Sequence, residues 1–162
     1  MLNSYLNTSD KVVLNNKVEL SSEEFVSQDK INEAMAVVNS LDFAQMDDKL
    51  INYYGWSKED VTLMNDYYKK WLVVHVCYPE LATAPSTKLD EYWHMHILDT
   101  KKYMEDCQLI FGKYLHHYPY FGLENDIKSL DAGFELTKKL FMKHFGHELT
   151  GLANPCKATK CR

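Results

Sequence analysis

The stretch DEYWHMHILDT, residues 90–100, is the part of the sequence around which the rest is organised. Together with GKYLHHYPYFG, residues 112–122, it carries four of the seven histidines, set among tryptophan, tyrosine and phenylalanine side chains. A solvated surface rarely has this composition, because large aromatic residues are mostly buried or placed at binding sites. The two runs therefore predict where any binding or catalytic site lies.

Helical geometry separates the two histidines of residues 90–100. Residues four apart lie about 40° apart around a helix axis, so Asp90 and His94 share a face, whereas residues two apart diverge by about 200°. His96 therefore points elsewhere. Asp90, His94 and one imidazole from His116 or His117 would form a set of two histidines and one carboxylate, which is typical of a metal site. Thr87 precedes Asp90 by three residues, so Asp90 is also a candidate to satisfy free amides in the first turn of a helix, a role that does not exclude ligation.

Two further histidines are additional ligand candidates, His75 and His96. His75 lies at the end of an apolar stripe, so its first interpretation is a hydrogen-bonded core residue and its second is a ligand. The ligand types suit a divalent transition metal, namely iron, copper or zinc, and the sequence does not choose among them. Neighbouring aromatic residues are expected to hold the ligands in place or to contact a substrate. These are Trp93, Tyr92, Tyr103, Tyr118 and Tyr120.

Residues 85–121, approximately, contain a fixed order of residue types. It runs from an acidic residue through Trp-His-x-His, a tyrosine, a cysteine and Phe-Gly to a loop with histidines. This order resembles the glycine-rich domain proteins of plants and their bacterial relatives. The resemblance implies a His-rich helical module and no particular reaction. The long glycine-rich segment of those proteins is absent, since the chain has only 6 glycines. The matching residues are Asp90, Trp93, His94, His96, Tyr103, Cys107, Phe111, Gly112, His116 and His117.

Apolar residues at spacings of three and four predict an all-α fold, a single-domain bundle of five or six helices. The first helix is predicted over residues 22–40, after a capping box formed by Ser21 and Glu24. Gly55 and Gly112 are typical helix ends, and Ser57 and Asp99 are predicted helix starts.

The last helix is predicted over residues 123–145. Residues 1–20 are interpreted as an extended arm or hairpin, residues 21–150 as the helical His-rich domain, and residues 151–162 as a polar tail with Cys156 and Cys161.

Length and composition agree with one globular domain, at 162 residues with 46% hydrophobic and 25% charged residues. A net charge of -5 does not favour nucleic acid as a partner. No apolar run is long enough for a membrane span and no signal peptide is visible, so we expect a cytoplasmic protein without a membrane partner. Cys77 and Cys107 are predicted to be buried in the core.

The leading hypothesis is that this is a metal-binding helical protein. A more specific version of it is a metal-dependent enzyme that uses a site of histidine and aspartate. The alternative is a non-catalytic protein-interaction module whose histidines and aromatic residues build a polar core. The sequence lacks the common hydrolase, phosphate-binding and dinucleotide-binding motifs, so it defines neither catalytic residues nor a reaction. A small-molecule or peptide substrate and any oligomeric state are left open.

Overall fold

The computed structural model of the protein describes residues 20–120 and 127–147. Within these residues the chain forms six α-helices and one 3₁₀ turn, and no β-strand, so the predicted all-α fold is confirmed. The predicted tail and nearly all of the predicted arm lie outside the described residues. The helices are α1 (Gln28–Val38), α2 (Ala44–Tyr54), α3 (Lys58–Cys77), α4 (Thr87–Leu98), α5 (Thr100–Phe111) and α6 (Ile127–Phe145).

Local signals account for most helix boundaries. The Ser57 and Ser86 hydroxyls begin α3 and α4 by accepting a backbone N–H from the third residue on, and the Asp99 carboxylate does the same for α5. Helices α2 and α5 end at Gly55 and Gly112, where φ is 71° and 66°. Glycine is favoured there because this left-handed conformation places no Cβ against the backbone.

The predicted start of the first helix is wrong. The capping box of Ser21 and Glu24 closes only a single 3₁₀ turn, and α1 begins six residues later than predicted, with Ser27 as its cap. The physical reason lies in a distant contact. The N–H of Val26 donates to the hydroxyl oxygen of Tyr78 at 3.0 Å, and its neighbours Phe25 and Ser27 are extended instead of helical.

Helix α3 is the centre of the bundle, and it contacts α1, α2, α4 and α6. Its apolar residues recur every three or four positions, which buries one long stripe including Met64, Tyr68 and Trp71, each at most 1% exposed. Cys77 and Cys107 are buried in this core as free thiols. No helix in the described part of the chain is both long and apolar enough to cross a membrane.

Helix α6 fixes the segment that leads into α4. A Cβ added to Gly133 would lie only 2.8 Å from the carbonyl oxygen of Ala82, so the absence of a side chain permits this close approach. One turn further on, the Thr137 hydroxyl donates to the carbonyl of Ala84 at 2.9 Å. The chain then enters α4 at its cap, Ser86, four residues before Asp90.

Candidate metal centre

Helix α4 places Asp90 and His94 one turn apart on the same side. The Oδ2 of Asp90 lies 3.2 Å from the Nε2 of His94. The Asp90 side chain is only 3% exposed, whereas that of His94 is 24% exposed. One donor is therefore buried in the fold, and the other borders solvent.

The third member of the cluster is His117, which lies in the irregular stretch after α5, here called the 112–120 segment. Its Nε2 lies 3.0 Å from the Oδ1 of Asp90 and 2.9 Å from the Nε2 of His94. Its ring rests against Trp93 with the ring centroids 4.5 Å apart. Two separate parts of the chain thus bring three donor side chains together.

With the Asp90 carboxyl ionised, no distribution of protons on the two imidazoles satisfies all three of these contacts. A carboxylate accepts hydrogen bonds only, and each imidazole Nε2 carries either a hydrogen or a lone pair. If one Nε2 carries a hydrogen, the other Nε2 still presents its lone pair to Asp90. If both carry one, two N–H groups face each other at 2.9 Å. A cation that accepts a lone pair from each side chain removes the conflict.

Within the described part of the chain, this is the only group of three histidine, cysteine or acidic side chains close enough to hold one ion. Burial lowers the pKa of His94, against the opposing effect of Asp90, and so favours the neutral imidazole. Neutral imidazole is the form that binds a metal, because the proton and the ion compete for the same lone pair.

His96 projects from the other side of α4 and is not part of the cluster. Its Nδ1 lies 2.9 Å from the Tyr68 hydroxyl, and its Nε2 lies 3.0 Å from Asp106, which also pairs with Lys102. The imidazole is 2% exposed, and burial lowers its pKa to about 4 in spite of Asp106. Asp106 was not among the predicted residues. The only local signal was its spacing of four from Lys102 along a helix.

His75 and His116 also lie outside the cluster. The Nδ1–H of His75 donates to the carbonyl of Trp71 at 3.0 Å, and its Nε2 accepts from the Thr83 hydroxyl at 3.2 Å. Both ring nitrogens therefore have protein partners, as the core interpretation of this histidine requires. His116 is exposed and packs against the ring of Tyr114. Of the two adjacent histidines, the structure brings His117 to Asp90.

We expect His75 to make the fold sensitive to acid. Burial lowers its pKa to about 4 in the folded protein, whereas a histidine in an unfolded chain titrates near 6.5. Below about pH 6.5 the histidine of the unfolded chain is protonated, whereas His75 of the folded protein stays neutral until about pH 4. The free energy of unfolding therefore falls as the pH drops through this window, by about 2 kcal/mol. Urea denaturation at pH 7 and pH 4.5 measures the loss. It should shrink in His75→Gln, and an equal pH dependence in that variant would contradict the assignment.

Trp93 and Tyr103 connect the cluster to the core. The indole Nε1–H of Trp93 donates to the Tyr103 hydroxyl at 3.0 Å, and that hydroxyl donates to the carbonyl of Leu115 at 2.7 Å. Leu115 lies two residues before His117 in the 112–120 segment. Nothing in the sequence marks this carbonyl, because every residue type has one.

The remaining predicted aromatic residues lie elsewhere. The Tyr92 hydroxyl donates to Asp47 of α2 at 2.6 Å, away from the cluster. Tyr118 and Tyr120 are 65% and 61% exposed and contact each other edge to face, with centroids 5.7 Å apart. Both exposed rings belong to residues that follow His117 within three positions in the sequence.

Comparison with known proteins changes the family assignment. A family model described as UCP032817-like matches residues 33–146, more than two thirds of the chain. The resemblance to plant glycine-rich domain proteins is therefore wrong: it rested on a short motif of histidines and aromatic residues, whereas the match spans most of the helical fold. No curated protein and no solved structure matches the chain. The chain belongs to the UCP032817-like family.

Proposed function

We propose that the protein binds a divalent transition metal through Asp90, His94 and His117. The observation that carries the proposal is the set of contacts among their donor atoms, 2.9–3.2 Å long, which no arrangement of the imidazole protons satisfies while Asp90 is ionised. Binding would also join the 112–120 segment to α4, because the ligands come from both.

The donor spacing is closer to an octahedral arrangement of ligands than to a tetrahedral one, and three protein donors leave at least one position open in either. An ion about 2.1 Å from three donors at right angles holds them about 3.0 Å apart, whereas a tetrahedral ion holds them about 3.4 Å apart. The observed spacing is nearer the first value. Two histidines and one carboxylate in that arrangement are typical of iron(II), with zinc and copper as the alternatives.

A catalytic role is the second part of the proposal. A metal held by three side chains supplies Lewis acidity and activates a bound water or other small ligand. The protein would hold such a metal through the buried carboxylate of Asp90. The His94 side chain, 24% exposed, leaves one side of the site in contact with solvent. A small molecule or a peptide is the class of substrate proposed for such a site.

The alternative is a non-catalytic interaction module with a structural polar core. It is supported by the network of Tyr68, His96 and Asp106, which is buried and satisfied without any metal. The exposed rings of Tyr118 and Tyr120 would then belong to a contact surface. Metal content separates the two functions.

The experiment uses protein purified without an affinity tag. Iron, copper and zinc are quantified, first as isolated and then after reconstitution of the metal-free protein with each ion. We expect one equivalent per chain of one of these metals, retained by the parent and by His116→Ala and lost by His117→Ala. These two variants are matched, because they remove adjacent histidines of the same segment. Absence of binding in the parent, or equal loss in both variants, would contradict the proposal.

A further inference from the structure

We infer that the Tyr103 hydroxyl positions His117 for metal binding, and that it thereby sets the affinity of the site. This inference rests on the proposed function. It concerns a group that touches no donor atom of the cluster but connects the two parts of the chain from which the donors come.

The hydroxyl lies between α4 and the 112–120 segment. It accepts the Nε1–H of Trp93 at 3.0 Å and donates to the carbonyl of Leu115 at 2.7 Å, and the Tyr103 side chain is fully buried. Hydrogen bonds shielded from water hold their partners in one geometry more firmly than exposed ones. A single oxygen thus ties the helix that carries Asp90 and His94 to the segment that carries His117.

The 112–120 segment depends on such side-chain contacts. The backbone–backbone hydrogen bonds between described residues outside the helices include none made by residues 113–117. Besides the contacts of His117 with Asp90 and His94, the side-chain contacts that hold the segment include three around Tyr103. The Tyr103 hydroxyl binds the carbonyl of Leu115, its ring lies 5.1 Å from that of Tyr114, and its partner Trp93 packs on His117.

Loss of the hydroxyl would leave two groups without this partner, the buried indole N–H of Trp93 and the carbonyl of the half-buried Leu115. Both would have to move to find another partner or water. The movement reaches His117, because Trp93 packs on its ring and Leu115 lies two residues away. Removal of a group that orients a metal ligand commonly weakens metal binding by about 10- to 100-fold.

The test compares Tyr103→Phe with Tyr78→Phe by titration of the metal-free proteins with Zn²⁺. Tyr78 is a matched control, because its buried hydroxyl also has two partners, the N–H of Val26 and the imidazole of His144. We expect Tyr103→Phe to bind Zn²⁺ about 10- to 100-fold more weakly than the parent, and Tyr78→Phe to stay within about threefold. Parent-like affinity in Tyr103→Phe, or an equal loss in both variants, would overturn the inference.

A second measurement needs no metal. In the parent we expect nuclear Overhauser contacts between the ring protons of His117 and Trp93, and these should be lost in Tyr103→Phe and kept in Tyr78→Phe. If the parent binds no Zn²⁺, the proposed function fails by itself, and the positioning role is judged by these contacts. Their persistence in Tyr103→Phe would overturn it.

Discussion

His94→Ala is expected to weaken metal binding by more than about 100-fold, since it deletes a direct ligand and the loss of an orienting partner alone costs about 10- to 100-fold. The same substitution should change the unfolding free energy of the metal-free protein by less than about 1 kcal/mol, because the imidazole is partly exposed and its removal relieves crowded donor atoms. Zn²⁺ titration and urea denaturation measure the two effects.

The outcome that would count against this prediction is an unchanged affinity in His94→Ala. A folded variant that still binds tightly would place the ion away from α4, or would give His94 no part in holding it. Glu91→Ala serves as the control, because it removes an exposed side chain from the same helix, three residues earlier. We expect its affinity to remain close to that of the parent.

His96→Ala, unlike His94→Ala, should mainly affect stability, and we expect it to lower the unfolding free energy by about 3 kcal/mol. The substitution creates a cavity and leaves the hydroxyl of Tyr68 and the carboxylate of Asp106 without their shared partner. Folded His96→Ala protein should lose less metal affinity than His94→Ala. Urea denaturation of the metal-free protein gives the first quantity, and Zn²⁺ titration gives the second.

A stable His96→Ala protein that has lost its metal would contradict this account. It would mean that the face of α4 carrying His96 holds the ion, and that Asp106 is a ligand and not the partner of a structural imidazole. His96→Gln is the milder companion variant, because an amide can both donate and accept a hydrogen bond. We expect it to recover part of the lost stability.

The helical fold was predictable because burial imposes a spacing of three and four on the sequence. Helix α3 is the clearest case, since its stripe through Met64, Tyr68 and Trp71 ends up almost fully buried. The start of α1 was not predictable. It depends on a hydrogen bond from Val26 to Tyr78, which is 52 residues away in the sequence.

The candidate centre was likewise predictable only where the local sequence determines the geometry. Helix periodicity alone places Asp90 and His94 on one side of α4 and His96 on the other. The selection of His117 over His116 could not be predicted, because an irregular segment imposes no fixed direction on adjacent side chains. It depends on contacts with Trp93 and Tyr103 that form only when the chain folds.

The most direct test of the central claim is anomalous X-ray diffraction from crystals of the full chain reconstituted with Zn²⁺, recorded at the zinc absorption edge. We predict one strong peak per chain, about 2.0–2.2 Å from a carboxylate oxygen of Asp90 and from the Nε2 atoms of His94 and His117. A peak at other side chains only, or no peak in a well-ordered crystal, would contradict a metal centre built from these three residues.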